Sequence, residues 1–169
     1  MKRVNATAPD ITIQCVTTEH SVPAAKEIRR WAGAALALDG AGGEVTIRIT
    51  GAAEMRALNR QWRDTDRATN VLSFPLHDAD CPLFGDVVIC APVLAQEAAQ
   101  QGKSLHAHWA HITIHGILHL MGYDHADENT AGIMEAKETA LLQELGFPDP
   151  YHPGLTTAAA KTDAVQTRR

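Results

Sequence analysis

His115 and His119 stand four residues apart in HITIHGILHLMG, and His125 follows in the next turn of chain. On a helix, residues i and i+4 lie one above the other on one face. Two imidazoles so placed can reach a single metal ion. Gly122 comes three residues after His119, and glycine readily takes the left-handed conformation that ends a helix. The chain can then fold back and bring His125 to the same ion. Three imidazoles with a fourth position open make a catalytic zinc site rather than a closed structural one. An ion held this way lowers the pKa of a coordinated water and polarises a substrate oxygen. The spacing therefore predicts one zinc ion per chain on His115, His119 and His125.

Six of the nine histidines fall between positions 106 and 125. His106 and His108 read as surface or packed core residues. His111 extends the ladder 111, 115, 119. It is either an alternative third ligand in place of His125 or, in the better reading, a support behind the ligands. Asp124 either orients His125 or a water as a catalytic carboxylate, or simply caps the turn. The spacing also matches the metzincin peptidase pattern H-E-x-x-H-x-x-G-x-x-H, with Gly116 where those enzymes carry glutamate. That glutamate is their general base, so peptide hydrolysis by that route is disfavoured here. The glycine is expected to leave room for a bulky substrate at the metal.

A second cluster is basic. Arg56, Arg60, Arg63 and Arg67 are spaced 4, 3 and 4, the steps of a helical stripe. Arg56 and Arg60 read first as a solvated face, and Arg67 falls beyond the helix end. Arg63 sits at the junction leading into TNVLSFP, where a forked guanidinium suits phosphate oxygens and developing charge. Arg60 and Arg67 are kept as weaker substrate contacts. The acidic last helix, with Asp127, Glu128, Glu135, Glu138 and Glu144, reads as solvated or partner-facing. Trp31 and Trp62 read as core, which leaves no evident platform for base stacking.

The elements that must carry these residues follow from hydrophobic periodicity. Strands are expected at 10–17, 44–50, 69–76 and 84–91, the last buried on both faces. Helices are expected at about 22–38, 51–63, 92–101, 104–121 and 127–145, the first capped by Ser21. The order predicts an α+β fold, a small mixed sheet of about four strands covered by helices. Residues 1–155 read as one domain and 156–169 as a disordered tail without an apolar face. The 169 residues are 45% hydrophobic and 21% charged, with net charge −5. That balance disfavours non-specific coating of nucleic acid but permits a local basic groove. No apolar run approaches the ~18 residues of a membrane span, and no secretory h-region follows the basic start. Three scattered cysteines without a CxxC exclude a disulfide framework. A cytoplasmic protein with no membrane partner is expected.

HGILHLMGYDH (115–125) resembles the signature of the YbeY family of bacterial endoribonucleases and rRNA maturation factors. WRDTDRATNVLSFP (62–75) and FGDVVICAPV (84–93) agree with it in the same order, and the similarity runs from about residue 10 to Tyr151. Phe84 stands where the family more often has leucine. The resemblance implies a zincin-like mixed α+β fold and zinc on His115, His119 and His125. It also implies Arg63 as the family's motif arginine, and single-strand-specific RNA hydrolysis. The implied task is maturation of the 3′ end of small-subunit (16S) rRNA and ribosome quality control. Its implied partners are rRNA, the small ribosomal subunit and its assembly factors. A second reading is a non-catalytic ribosome-assembly factor whose zinc stabilises the fold; a third, a metallopeptidase, is disfavoured by Gly116.

Overall fold

The computed structural model describes residues 8–18, 21–39, 42–76 and 83–151. Four strands form one sheet: β1 (Asp10–Cys15), β2 (Gly43–Thr50), β3 (Val71–Leu76) and β4 (Leu83–Cys90). Their spatial order is β1-β2-β4-β3. The pairs β1–β2 and β2–β4 are parallel, and β3 runs antiparallel to β4. Five α-helices accompany them: α1 (Ala25–Leu36), α2 (Ala52–Arg63), α3 (Ala91–Gln101), α4 (Leu105–Leu120) and α5 (Glu128–Glu144). The expected mixed sheet covered by helices is what forms. The expected disordered tail lies outside the described residues.

Alternation along the strands sorts the two faces. Val45, Ile47 and Ile49 of β2 and Val87 and Ile89 of β4 point to one side and pack with Ile28, Trp31 and Leu36 of α1 and with α4. Leu72, Val88 and Cys90 point to the other side, where Met55 of α2 meets them. Helix α1 starts at Ala25 rather than at 22, because Ala24 is still extended (ψ 144°), and no side chain caps it. Ser21 does not act as its cap. Helix α4 is apolar nearly all round and is buried along most of its length, as a central helix must be. Ser104 Oγ accepts from the Ala107 amide to begin it.

Gly116 explains how close α4 sits. A methyl group there would stand 2.7 Å from Val87 Cγ1 and 3.0 Å from Val71 Cγ2. The missing side chain makes room for the sheet, not for a substrate at the metal, which corrects the expectation above. Ser73 Oγ, on β3, donates to the Gly116 carbonyl oxygen at 2.8 Å and fastens the same contact. A glutamate at this position would be driven into the strands, so the peptidase base has no place in this packing.

Candidate metal centre

Helix α4 ends as its glycine predicts. Gly122 has φ 100°, and the Gly122 and Tyr123 amides donate to the carbonyls of His119 and Leu118 at 3.0 Å each. The reversal carries His125 back over the helix. Ring centroids then lie 4.6 Å apart for His115–His119, 4.9 Å for His119–His125 and 5.7 Å for His115–His125. Their ligand atoms all lie within 4.8 Å of one another. Burial, and then the neighbouring His115 and His125, push the His119 pKa down. Both effects favour the neutral imidazole that a metal requires.

The support behind these ligands comes from Glu138, one of the acids whose helix reads as solvated or partner-facing in the sequence. Glu138 of α5 is completely buried. Its Oε1 accepts from His115 Nδ1 at 2.7 Å, and its Oε2 accepts from His111 Nε2 at 2.7 Å and from Tyr151 Oη at 2.5 Å. Burial alone would raise the Glu138 pKa, but the hydrogen bonds from His111 and His115 outweigh it and hold the carboxyl well below its ordinary range. Tyr151 moves up, through burial and then its bond to Glu138. With Nδ1–H committed to a carboxylate, His115 keeps the Nε2 lone pair for a metal, the carboxylate–histidine arrangement typical of such ligands. Glu138 is therefore not a solvated surface acid. The donor set fits a single divalent ion on His115, His119 and His125. A second donor group, His111, His115 and Glu138, is equally close in space, but its acceptor oxygens already serve two imidazoles and a phenol. His111 thus stands behind His115.

Replacing Glu138 with glutamine removes the negative charge and one of the two acceptor oxygens that hold His115, His111 and Tyr151, while nearly preserving shape. Zinc affinity, measured by competition with a chromogenic chelator, is expected to fall about 10–100-fold. Unchanged affinity would reduce Glu138 to a packing role.

The ligands open into a cleft of about 520 Å³ that also takes in Arg63, Asn70, Ser73 and Asp124. Arg63 Nη2 donates to the Ser73 carbonyl oxygen at 3.1 Å and Nη1 to the Trp62 carbonyl oxygen at 3.3 Å. Among the described residues no ion pair joins it to Asp64, Asp66 or Asp86. Asp66 belongs instead to Arg56, at 2.9 and 3.1 Å. Asp124 Oδ1 accepts from the His125 amide at 2.7 Å and so braces the third imidazole's turn from within the cleft. Arg60 and Arg67 are exposed and do not line it. Trp62, expected in the core, is 57% exposed: its ring touches Phe74 but otherwise borders an open cleft over sheet face that α2 does not cover.

A mixed sheet with a buried helix presenting two histidines, a glycine reversal and a third histidine makes a site able to hold one metal ion, the kind of arrangement hydrolases use. The sequence comparisons narrow this. The family model "Endoribonuclease YbeY" matches residues 12–146. The Endoribonuclease YbeY of Stutzerimonas stutzeri is 52% identical over 146 residues, covering 84% of this chain and 91% of that protein. That of Nitrosomonas europaea is 50% identical over 141 residues, covering 83% of this chain and 84% of that protein. The solution structure of TM1509 from Thermotoga maritima shares the fold, with a TM-score of 0.51 at 21% identity over 80% of this chain and 91% of that one. The chain belongs to the endoribonuclease YbeY family, a family of phosphodiester hydrolases.

Proposed function

We propose that the protein is a zinc-dependent endoribonuclease that cuts single-stranded RNA and matures the 3′ end of 16S rRNA on the small ribosomal subunit, in the cytoplasm. The observation that carries the metal-dependent chemistry is the convergence of His115, His119 and His125 in an open cleft that also holds Arg63. The task in rRNA maturation rests on the family membership. His115, His119 and His125 would hold a divalent ion, which would supply Lewis acidity toward a phosphoryl oxygen and lower the pKa of a water. The chain's own residues do the rest. Arg63, fixed at two carbonyls, retains N–H donors for a non-bridging phosphate oxygen. Asp124 is the only carboxylate lining the cleft among the described residues. Its Oδ1 holds the His125 amide, which leaves Oδ2 to accept a proton from the attacking water. His111 and Glu138 orient His115.

The test uses the zinc-loaded protein with a single-stranded RNA, the same sequence as a duplex, and a peptide, each with and without chelator. Only the single strand is expected to be cut, and zinc should restore what chelation stops. RNA binding without metal-linked cleavage would favour the assembly-factor reading instead.

A further inference from the structure

Helix α2 covers only part of the sheet face beneath it. Met55 and Leu58 pack against Leu72 and Val88, and beyond them the face opens into a second cleft of about 670 Å³. Trp62 lines this cleft and is 57% exposed. Its ring meets Phe74 at a centroid distance of 6.2 Å and an interplanar angle of 68°. The Arg63 guanidinium lies 5.4 Å from the centroid of the same Phe74 ring. Arg63 and Ser73 line both this cleft and the metal cleft. They are two lobes on opposite faces of the sheet that meet at its β3 edge, with the arginine at the divide.

Charge gives the lobes different tasks. Arg48, on the floor of the second lobe, is committed to Glu54, with nitrogen–oxygen distances of 2.8 to 3.2 Å. Asp86 adds another carboxylate to the lining. Beyond Arg63 a phosphate would therefore meet a neutralised cation and a surplus of negative charge. A neutral planar group meets something better: an indole that is mostly open, held on a helix and braced by Phe74. Aromatic side chains placed beside a phosphate-binding cation are the usual means of holding a single strand, because every base has a π-face.

We infer that Trp62 is a stacking platform for one nucleobase of single-stranded RNA, the nucleotide adjoining the phosphate at Arg63. The inference rests on the RNA-cleaving reading proposed above. It places the backbone on the metal side of Arg63 and one base on the other.

The test is steady-state cleavage by the zinc-loaded protein of a single-stranded RNA octamer and its eight single abasic variants, with melting temperature and zinc content as controls. Trp62→Ala is expected to raise KM about 5- to 150-fold with little change in kcat, the range of a lost base–aromatic stack. Trp62→Phe should recover most of it. In the wild type one abasic position should reproduce the rise, and in Trp62→Ala that same position should add nothing further. A KM unchanged in Trp62→Ala, as when a protein partner rather than a base occupies the lobe, overturns the inference while leaving the nuclease reading intact. Penalties from the substitution and the abasic site that simply multiply overturn it as well. Failure of the wild type to cut any of the RNAs overturns the nuclease reading itself.

Discussion

His119→Ala is expected to yield a folded protein that no longer retains zinc through dialysis and cuts RNA at least ~10³-fold more slowly. The rate follows from losing the several kcal/mol by which a metal stabilises transition-state charge. The apo-like variant should also melt lower than the zinc-loaded wild type. A ligand at a thousand times its Kd adds about 4 kcal/mol to folding stability, which for a chain of this size is roughly 10 °C. Elemental analysis, calorimetry and cleavage on one preparation check all three. His111→Ala is the informative companion. It removes a member of the buried group with His115 and Glu138 but leaves the open site its three imidazoles, so it should keep stoichiometric zinc. The reverse pattern, zinc lost in His111→Ala and kept in His119→Ala, would move the ion to the buried group.

Arg63→Glu should abolish measurable cleavage while zinc content and melting temperature stay close to wild type. No carboxylate depends on this guanidinium among the described residues, and its hydrogen-bond partners are two carbonyl oxygens, so the folded state loses little beyond the contact with the Phe74 ring. Removing one preorganised donor to transition-state charge costs about 2.7–4 kcal/mol, or 10²–10³ in rate, and the reversed charge adds repulsion. Arg63→Lys should recover only part, since a point charge replaces a planar fork. A stable, zinc-loaded and fully active Arg63→Glu protein would remove Arg63 from the chemistry. A drop in stability that parallels the drop in rate would make it a strut between α2 and β3.

Local pattern carried much of this site. The i, i+4 histidines, the glycine at the helix end and the third histidine are contiguous, so spacing alone brings them together, and the strands follow from period-two alternation. What spacing does not carry is the partner from another element. Glu138 lies 23 residues beyond His115 and sits among other acids on a helix that reads as polar. Its signal was positional: Met134, Glu138, Leu141 and Leu142 recur at helical intervals and are the buried residues of α5, so the acid stands within the apolar face. An unpaired carboxylate is costly there, and the nearby histidines are its natural partners. Trp62 erred in the opposite direction. It keeps the interval set by Met55 and Leu58, but periodicity tells which face a residue occupies, not whether the rest of the fold closes over it. Gly116 was legible as a departure from the peptidase pattern, yet its reason, two valine side chains on neighbouring strands, is tertiary.

Ser73 touches both sides of the histidine-lined cleft. Its hydroxyl holds the Gly116 carbonyl on the metal helix and its carbonyl receives Arg63. One residue of β3 thus works as a spacing gauge between Arg63 and the helix that carries His115 and His119. The connection between α2 and β3 is separately tied to α2, by Arg56 to Asp66 and by Asn59 Nδ2 to the Arg67 carbonyl oxygen. A one-residue slip of β3 against β4 is another matter. It would turn the hydroxyl to the opposite face of the sheet, release α4 and the arginine together, and leave a chain with every functional side chain present and no fixed distance between them.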